Sequence, residues 1–413
     1  MILINQIKKV WLLLLILSQI QRRTIMTDTV LEYGLTEDQK EIQKLAREFA
    51  RKELTWDKLK EFDDRGEFPM ELYKKVSAMG MTTLIIPEEY GGAGMNQLTC
   101  AIAMEELAYG DAGFSLSVGA NSLAVDPILL FGTDEQKAYA SKFYVDGGIG
   151  AFCLTEADAG SDAGACRATA VRDGNEYVIN GTKAFITNGS IANIYTVFAL
   201  TDPTAGARGL SCFIVERSRE GVSVGKDENK MGIRLSNTAE VIFDNVRIPA
   251  DNLVGKEGMG FKIAMTTLDI TRPAGIGAGV SGLCRSAIDK CIEYSKVRVT
   301  FGQPIITNQA IQFMIADMEI QTQAARTFSY RVADMIDHGV LDPIAGAAAK
   351  SFAADTAVKV ATDAVQIFGG NGYSREYPIE SMYRNAKIFQ IFEGTNQIQH
   401  LAIIKGLIKN SMM

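Results

Sequence analysis

The chain changes its hydrophobic period twice, and a helix–sheet–helix order restricts the fold more than any single motif does. Thr36-Glu37-Asp38-Gln39 has the spacing of a capping box, and Ile42, Leu45, Ala46 and Phe49 then recur at helical intervals. The same style, with apolar helices over Leu98–Leu107 and Asn121–Phe131 and a turn at Glu88–Gly92, predicts an all-helical domain over 26–149. From 150 to 258 the runs are short and strand-like: Tyr195–Leu200, Leu210–Val215, Val222–Val224 and Val241–Ile248. Asn180-Gly181, between Tyr177-Val178-Ile179 and Ala184-Phe185-Ile186, predicts a tight hairpin. From 259 to 413 helical spacing returns. Ile311, Met314, Ile315, Met318 and Ala325 form one stripe, and Ala345–Val365 forms an Ala-rich second helix of a bundle. The predicted class is α+β and multidomain: helical domain, β-barrel-like domain, helical bundle.

Composition excludes several functions. With 42 Lys+Arg against 49 Asp+Glu and no basic block, a nucleic-acid groove is not expected. Six cysteines (Cys100, Cys153, Cys166, Cys212, Cys284, Cys291) stand without CxxC spacing or a His cluster, as buried thiols of a reducing compartment would. No metal site is expected. His338 and His400 are the two histidines, neither within a motif, so acid–base chemistry here falls to a carboxylate.

Residues 1–25 differ from the rest. Val10–Leu17 (VWLLLLIL) is flanked by Lys8-Lys9 and Arg22-Arg23, and its length falls far short of the ~20 residues of a spanning helix. No acid precedes Asp28. The reading adopted is an over-called start with translation from Met26; an organelle-targeting segment and a true anchor are the alternatives. No integral membrane association is expected.

Gly277-Ala278-Gly279-Val280-Ser281-Gly282 matches GxGxxG but follows a helical stretch, Thr266–Arg272, rather than a strand. It is read as small residues that let helices approach closely, not as a dinucleotide turn. Phe152-Cys153-Leu154-Thr155-Glu156-Ala157-Asp158-Ala159-Gly160-Ser161-Asp162 runs from an apolar strand into a loop of small and hydroxyl residues. Such a loop either holds a ring edge or phosphate or is a plain surface turn. Phe185 and Thr187 are two apart, hence on one strand face. Asp269 and Arg272, three apart on a helix, either pair with each other or grip a polar ligand. Arg298–Gly302 and Gln366–Gly372 add a guanidinium, an amide and a glycine-rich turn for such a ligand, the alternative for the latter being an ordinary helix stop at Gly369-Gly370. Glu393 follows Ile388, Phe389, Ile391 and Phe392 and precedes Gly394. It is either a desolvated general base or an ordinary acid at a helix start.

In combination, FCLTEADAGSD, INGTKAFITNG, LDITRP, RVTFGQP, QIFGGNGY and IFEGTNQIQ occur in the order and approximate spacing of the acyl-CoA dehydrogenase family. From about Leu35 to Leu407 the chain resembles that family, its short- and medium-chain members above all. The resemblance implies a helical domain, a β-barrel-like domain and a C-terminal four-helix bundle, assembled as a homotetramer with FAD between the last two domains. It implies that Phe152, Leu154, Thr155, Gly160, Ser161, Phe185 and Thr187 line the isoalloxazine and its phosphate side. Arg298, Thr300, Phe301, Gln309, Gln366, Gly369 and Gly370 would hold the adenosine pyrophosphate part, some from a neighbouring subunit. Thr395 and Gln397 would complete the flavin site, and Ser161, Asp269 and Arg272 would meet the CoA moiety.

By the same resemblance Glu393 is the base that takes the α-proton of an acyl thioester while the β-hydrogen leaves as hydride. The implied product is a trans-2-enoyl-CoA, with electrons passing to electron-transfer flavoprotein. Thr271 stands where other branches carry their base, so Glu393 is the consistent choice. Ala157, Phe185, Phe392, Asn385 and His400 depart from the common pattern without removing a catalytic group. The absence of arginine from Gly113–Ser122 argues against a dicarboxylyl substrate. The alternatives are an acrylyl- or aryl-acrylyl-CoA reductase with a bound electron-transfer flavoprotein, and a catalytically silent CoA-binding scaffold. The expected compartment is a bacterial cytoplasm, with the mitochondrial matrix as the alternative.

Overall fold

The computed structural model describes residues 34–412; the leader over 1–25 lies outside them. The first helices are α1 (Glu37–Glu53), α2 (Trp56–Arg65), α3 (Met70–Ala78), α4 (Gln97–Gly110), α5 (Ala112–Phe131) and α6 (Asp134–Val145). The capping box at Thr36 forms as the spacing predicts, with Thr36 Oγ1 accepting from Gln39 N and Gln39 returning the bond. A second, at Thr133 and Gln136, starts α6. Among the described helices α5 alone is long and apolar enough to cross a membrane by composition, yet 61% of that window is buried, against α4, β1 and α7.

The middle strands are β1 (Gly150–Cys153), β2 (Thr169–Asp173), β3 (Glu176–Thr187), β4 (Ile194–Leu200), β5 (Leu210–Glu216), β6 (Val222–Asp227), β7 (Thr238–Pro249) and β8 (Leu253–Val254). They form one mixed sheet in the order β6-β7-β3-β2-β4-β5-β8, with β1 parallel to β4. The hairpin expected at Asn180-Gly181 does not form there. β3 runs through both residues as one strand with a bulge, and the two-residue loop lies earlier, at Gly174-Asn175, where Gly174 has φ 61°. Gly181 serves close packing instead: a Cβ on it would sit 2.5 Å from the Ala168 Cβ.

The last part contains α7 (Gly260–Arg272), a π-helical turn over Pro273–Gly277, α8 (Ala278–Val297), a small hairpin of β9 (Val299–Thr300) and β10 (Gln303–Pro304), α9 (Gln309–Asp337), α10 (Pro343–Phe368), α11 (Pro378–Ile388) and α12 (Asn396–Ser411). Helices α8, α9, α10 and α12 make the bundle, and the predicted stripe on α9 faces its core. Gly369, at φ 59°, ends α10 as expected. The glycine series at 277–282 is helical and packs helices together. A Cβ on Gly282 would meet the Glu105 carbonyl oxygen at 2.1 Å, and one on Gly277 the Ser329 hydroxyl at 2.0 Å.

Helix α4 joins the N-terminal domain to the bundle through buried charge. Glu105 pairs with Arg285 on α8 at 2.5 Å and with Arg326 on α9 at 2.9 Å. Glu106 pairs with Arg285 at 3.1 Å. These bonds fix the face of α4 that carries Gln97, Cys100 and Met104, and all three border the cavity described next.

Candidate active site

Where the sheet, α4, α5, α7 and the turn before α12 converge lies a cavity of about 250 Å³. Of the residues expected to bind cofactor or substrate or to act as base, nine line it: Phe152, Leu154, Thr155, Gly160, Ser161, Phe185, Thr187, Arg272 and Glu393. The loop after β1 is clamped from beneath. Glu156 accepts from Arg167 N (2.7 Å) and Ala168 N (3.0 Å). The fully buried Lys183 donates to Glu156 Oε1 (2.7 Å) and to the Leu154 carbonyl (3.0 Å). Burial alone would raise the Glu156 carboxyl, but Lys183 and the two N–H groups hold it below the ordinary value. Phe185 and Thr187 reach the cavity together through a second β3 bulge, where Phe185 takes φ 56° and leaves 64% of its surface exposed.

Glu393 sits in a turn at φ 51°, followed by Gly394 at φ 89°. Left-handed backbone is costly for a non-glycine residue, and here it is held by donors. The Glu393 carbonyl accepts from Arg272 Nε (3.0 Å) and Gln399 Nε2 (3.1 Å). The Gly394 carbonyl accepts from Gln399 Nε2 (3.2 Å) and Lys350 Nζ (2.8 Å). A side chain at Gly394 would be strained by its φ, and its Cβ, 2.3 Å from Gln399 Nε2, would displace the amide that holds the turn. Among the described residues no group accepts the Glu393 backbone N–H. The residue is partly exposed, but its Oε2 is shielded and makes no hydrogen bond. Burial therefore pushes the carboxyl above its ordinary value, opposed by the charges of Arg272 and Lys350. Thr271 Oγ1, also on the cavity wall, is likewise buried and unpartnered.

The other expected residues lie elsewhere. Asp269 is off the cavity wall and accepts from Arg272 Nη1 at 2.5 Å, so the intrahelical pair forms. Thr395 caps α12, accepting from Ile398 N at 3.2 Å, while Gln397 faces outward. Arg298, Phe301, Gln309, Gln366, Gly369 and Gly370 are exposed, Thr300 is half-buried, and none lines the cavity. Several cluster at one end of the bundle. There Tyr294 stacks on Phe368 at 4.1 Å and bonds Asn371, joining the ends of α8 and α10. His338 and His400 are both exposed and away from the cavity, and all six cysteines are free and buried. No group of metal-ligating side chains occurs among the described residues.

Sequence reasoning missed Gln97, Cys100 and Met104, although their spacing puts them on one helix face. It also missed Lys350, which is distant in the chain and carries no local signal, and gave no role to Gln399, although that residue closes the motif IFEGTNQIQ and lies six residues after Glu393.

The chain matches three family models: acyl-CoA dehydrogenase N-terminal domain over 36–147, middle domain over 151–246 and C-terminal domain over 258–408. A solved butyryl-CoA dehydrogenase from Megasphaera elsdenii superposes with a TM-score of 0.88 at 43% identity, covering 91% of this chain and 99% of that one. A chain from a structure described as the electron transferring flavoprotein of Acidaminococcus fermentans gives 0.88 at 45%, with the same coverage. The acryloyl-CoA reductase (NADH) of Anaerotignum propionicum is 44% identical over 92% of this chain and 96% of its own length. The chain belongs to the acyl-CoA dehydrogenase family, with its helical, mixed-sheet and bundle domains in that order. It is accordingly an oxidoreductase that uses FAD and acts on an acyl-CoA-like substrate. The cavity fits such a cofactor: a flat aromatic ring at Phe185 stands open to it, beside the hydroxyls of Thr155, Ser161 and Thr187.

Proposed function

We propose that the protein dehydrogenates short- to medium-chain acyl-CoA thioesters to trans-2-enoyl-CoA, with electrons leaving to an electron-transfer flavoprotein. The observation that carries this is Glu393: a residue with a shielded, unpartnered carboxylate oxygen, lining the same cavity as Phe152, Phe185 and Thr187. Bound FAD would supply the hydride acceptor for the β-hydrogen. Glu393 takes the α-proton on its carboxylate. Its raised proton affinity suits a general base working near neutrality. Its free backbone N–H is available to the thioester oxygen, where negative charge grows as the proton leaves. Cys100, Met104, Leu116, Gly119 and Ala120 supply an apolar wall for the acyl chain. Among the lining residues Arg272 is the one cation, and it is tied to Asp269 and to the Glu393 carbonyl. Nothing there pairs a second substrate carboxylate, which favours a monocarboxylic acyl group.

Phe152, Leu154, Thr155, Gly160, Ser161, Phe185 and Thr187 hold the flavin ring in this reading, completed by Thr395 and Gln397. Ser161, Asp269 and Arg272 serve the CoA side. The exposed cluster of Arg298, Thr300, Phe301, Gln309, Gln366, Gly369 and Gly370 completes the adenosine end in a second copy, within a homotetramer. A fully exposed Phe301 is consistent with cover from another chain. The Acidaminococcus structure supports the electron-transfer flavoprotein as partner. Six free thiols suit a bacterial cytoplasm.

Reduction of an acrylyl-type CoA is the second reading, favoured by the Anaerotignum relative. Anaerobic titration of the flavin-loaded protein separates the two. Bleaching of the oxidised flavin band by butyryl-, hexanoyl- or octanoyl-CoA supports the dehydrogenase. Reoxidation of the chemically reduced protein by acrylyl-CoA, without bleaching by saturated thioesters, supports the reductase.

A further inference from the structure

Among the described residues two lysines, Lys183 and Lys350, are fully buried, and they are partnered differently. Lys183 lies in an ion pair with Glu156 at 2.7 Å. Lys350, on α10, forms no ion pair within 4 Å among the described residues and gives its ammonium to two neutral oxygens, Gly394 O at 2.8 Å and Asn396 Oδ1 at 3.1 Å. Burying an unpaired ammonium is unfavourable, so a lysine kept there has a reason beyond packing. On the other side of the same turn Glu393 carries a shielded oxygen with no partner. An unpaired cation and an unpaired anion thus flank one strained backbone turn.

We propose that Lys350 is the positioning residue of Glu393: it anchors the left-handed turn through the Gly394 carbonyl and keeps the carboxylate ionised through its charge. This rests on Glu393 being the base. The anchor extends through Asn396, whose amide donates to Asp355 Oδ1 (2.7 Å) and the Ser351 carbonyl (3.2 Å), and through Gln390, which donates to Asp355 at 2.6 Å. Both ends of the turn are therefore tied to α10. The charges acting on the carboxylate are those of Arg272 from α7 and Lys350 from α10; Asp269 pairs with Arg272, and Asp355 acts on Lys350. Arg272 is partly neutralised by Asp269 at 2.5 Å, which leaves Lys350 as the cation with no close counter-charge of its own. Burial draws the Lys350 ammonium down to about 8, with Glu393 the first of the charges opposing that fall. Its influence is therefore full below that pH and fades above it.

The test compares Lys350→Gln, Lys350→Met and Lys350→Arg with wild type and Glu393→Gln, all loaded with FAD. Two readouts are taken from pH 5 to 8: the rate of flavin bleaching by butyryl-CoA, and the carbonyl stretch of protonated Glu393 in difference infrared spectra. Lys350→Gln keeps a donor without the charge. It should move the acid limb and the infrared titration up by about one pH unit, so that bleaching on the acid side slows roughly tenfold and recovers as pH rises. Lys350→Met should show the same shift and lose rate at every pH. Lys350→Arg should return both titrations toward wild type. Unchanged titrations in Lys350→Gln overturn the proposal even if the rate falls. Glu393→Gln keeps the failures apart: if it bleaches as wild type does, the base assignment fails, and if it is inert while Lys350→Gln titrates normally, only the role of Lys350 fails.

Discussion

Gly282 and Gly279 lie one turn apart on α8, and the structure assigns them opposite responses to the same change. A Cβ at Gly282 would stand 2.1 Å from the Glu105 carbonyl oxygen, 2.8 Å from Tyr109 N and 3.0 Å from the Ala108 carbonyl carbon. All three are backbone of α4, so relief requires the two helices to part. Moving them apart also strains the Glu105–Arg285 pair. Overpacking of this kind costs about 3 kcal/mol, the upper end of the usual range. Removing glycine from a helix interior returns about 1 kcal/mol. The net expectation for Gly282→Ala is a loss of about 2 kcal/mol. At Gly279 the nearest atom is Phe389 Cε1 at 3.9 Å, an ordinary contact. Gly279→Ala should be neutral or stabilising by up to about 1 kcal/mol. Urea unfolding of wild type and both variants side by side, followed by far-ultraviolet circular dichroism, gives the order of midpoints. The expected order is Gly282→Ala below wild type, with Gly279→Ala at or above it. A Gly282→Ala protein as stable as wild type, or equal losses in both variants, would refute the packing account of these glycines.

Lys183→Met should destabilise the protein by about 3 kcal/mol, because a buried carboxylate loses its ion partner; flavin should also be released at lower denaturant, since Glu156 then holds its loop through two N–H bonds alone. Gly119→Leu, facing Met104 Sδ at 3.3 Å from the new Cβ, should lower the bleaching rate with octanoyl-CoA relative to butyryl-CoA by roughly tenfold; an unchanged ratio would remove this wall from the acyl site. Glu393 is raised in the fold above its ordinary value near 4.5, so its ionised form opposes folding at neutral pH. Glu393→Gln should therefore unfold at higher urea than wild type at pH 7, and the gap should close as pH falls below 4.5, where the carboxyl is protonated in both states.

The helix–sheet–helix order was readable because each domain keeps one hydrophobic period over many residues. Asn180-Gly181 misled because its dipeptide preference is local, whereas β3 is set by pairing with β7 on one side and by the tight approach of Ala168 on the other. The helical setting of Gly277–Gly282 was legible from the helical stretch before it, Thr266–Arg272, where a dinucleotide turn needs a strand. Phe185, Thr187, Thr155 and Ser161 do reach one cavity, yet the bulge that aims Phe185 has no signal in the sequence. The Arg298–Gly370 cluster is placed by the bundle end, away from that cavity, and no spacing in a single chain tells which copy it would serve. Lys350 is 43 residues before Glu393, inside an Ala-rich stripe, where a lysine looks like an exposed interruption until the turn closes over it.

The central claim is that Glu393 removes the α-proton, and Glu393→Gln tests it most directly. The variant, loaded with FAD, is mixed anaerobically with butyryl-CoA and followed in the visible spectrum. The account predicts that the oxidised band shifts on binding, as in wild type, but does not bleach, because an amide cannot accept the proton. Bleaching at the wild-type rate would contradict it.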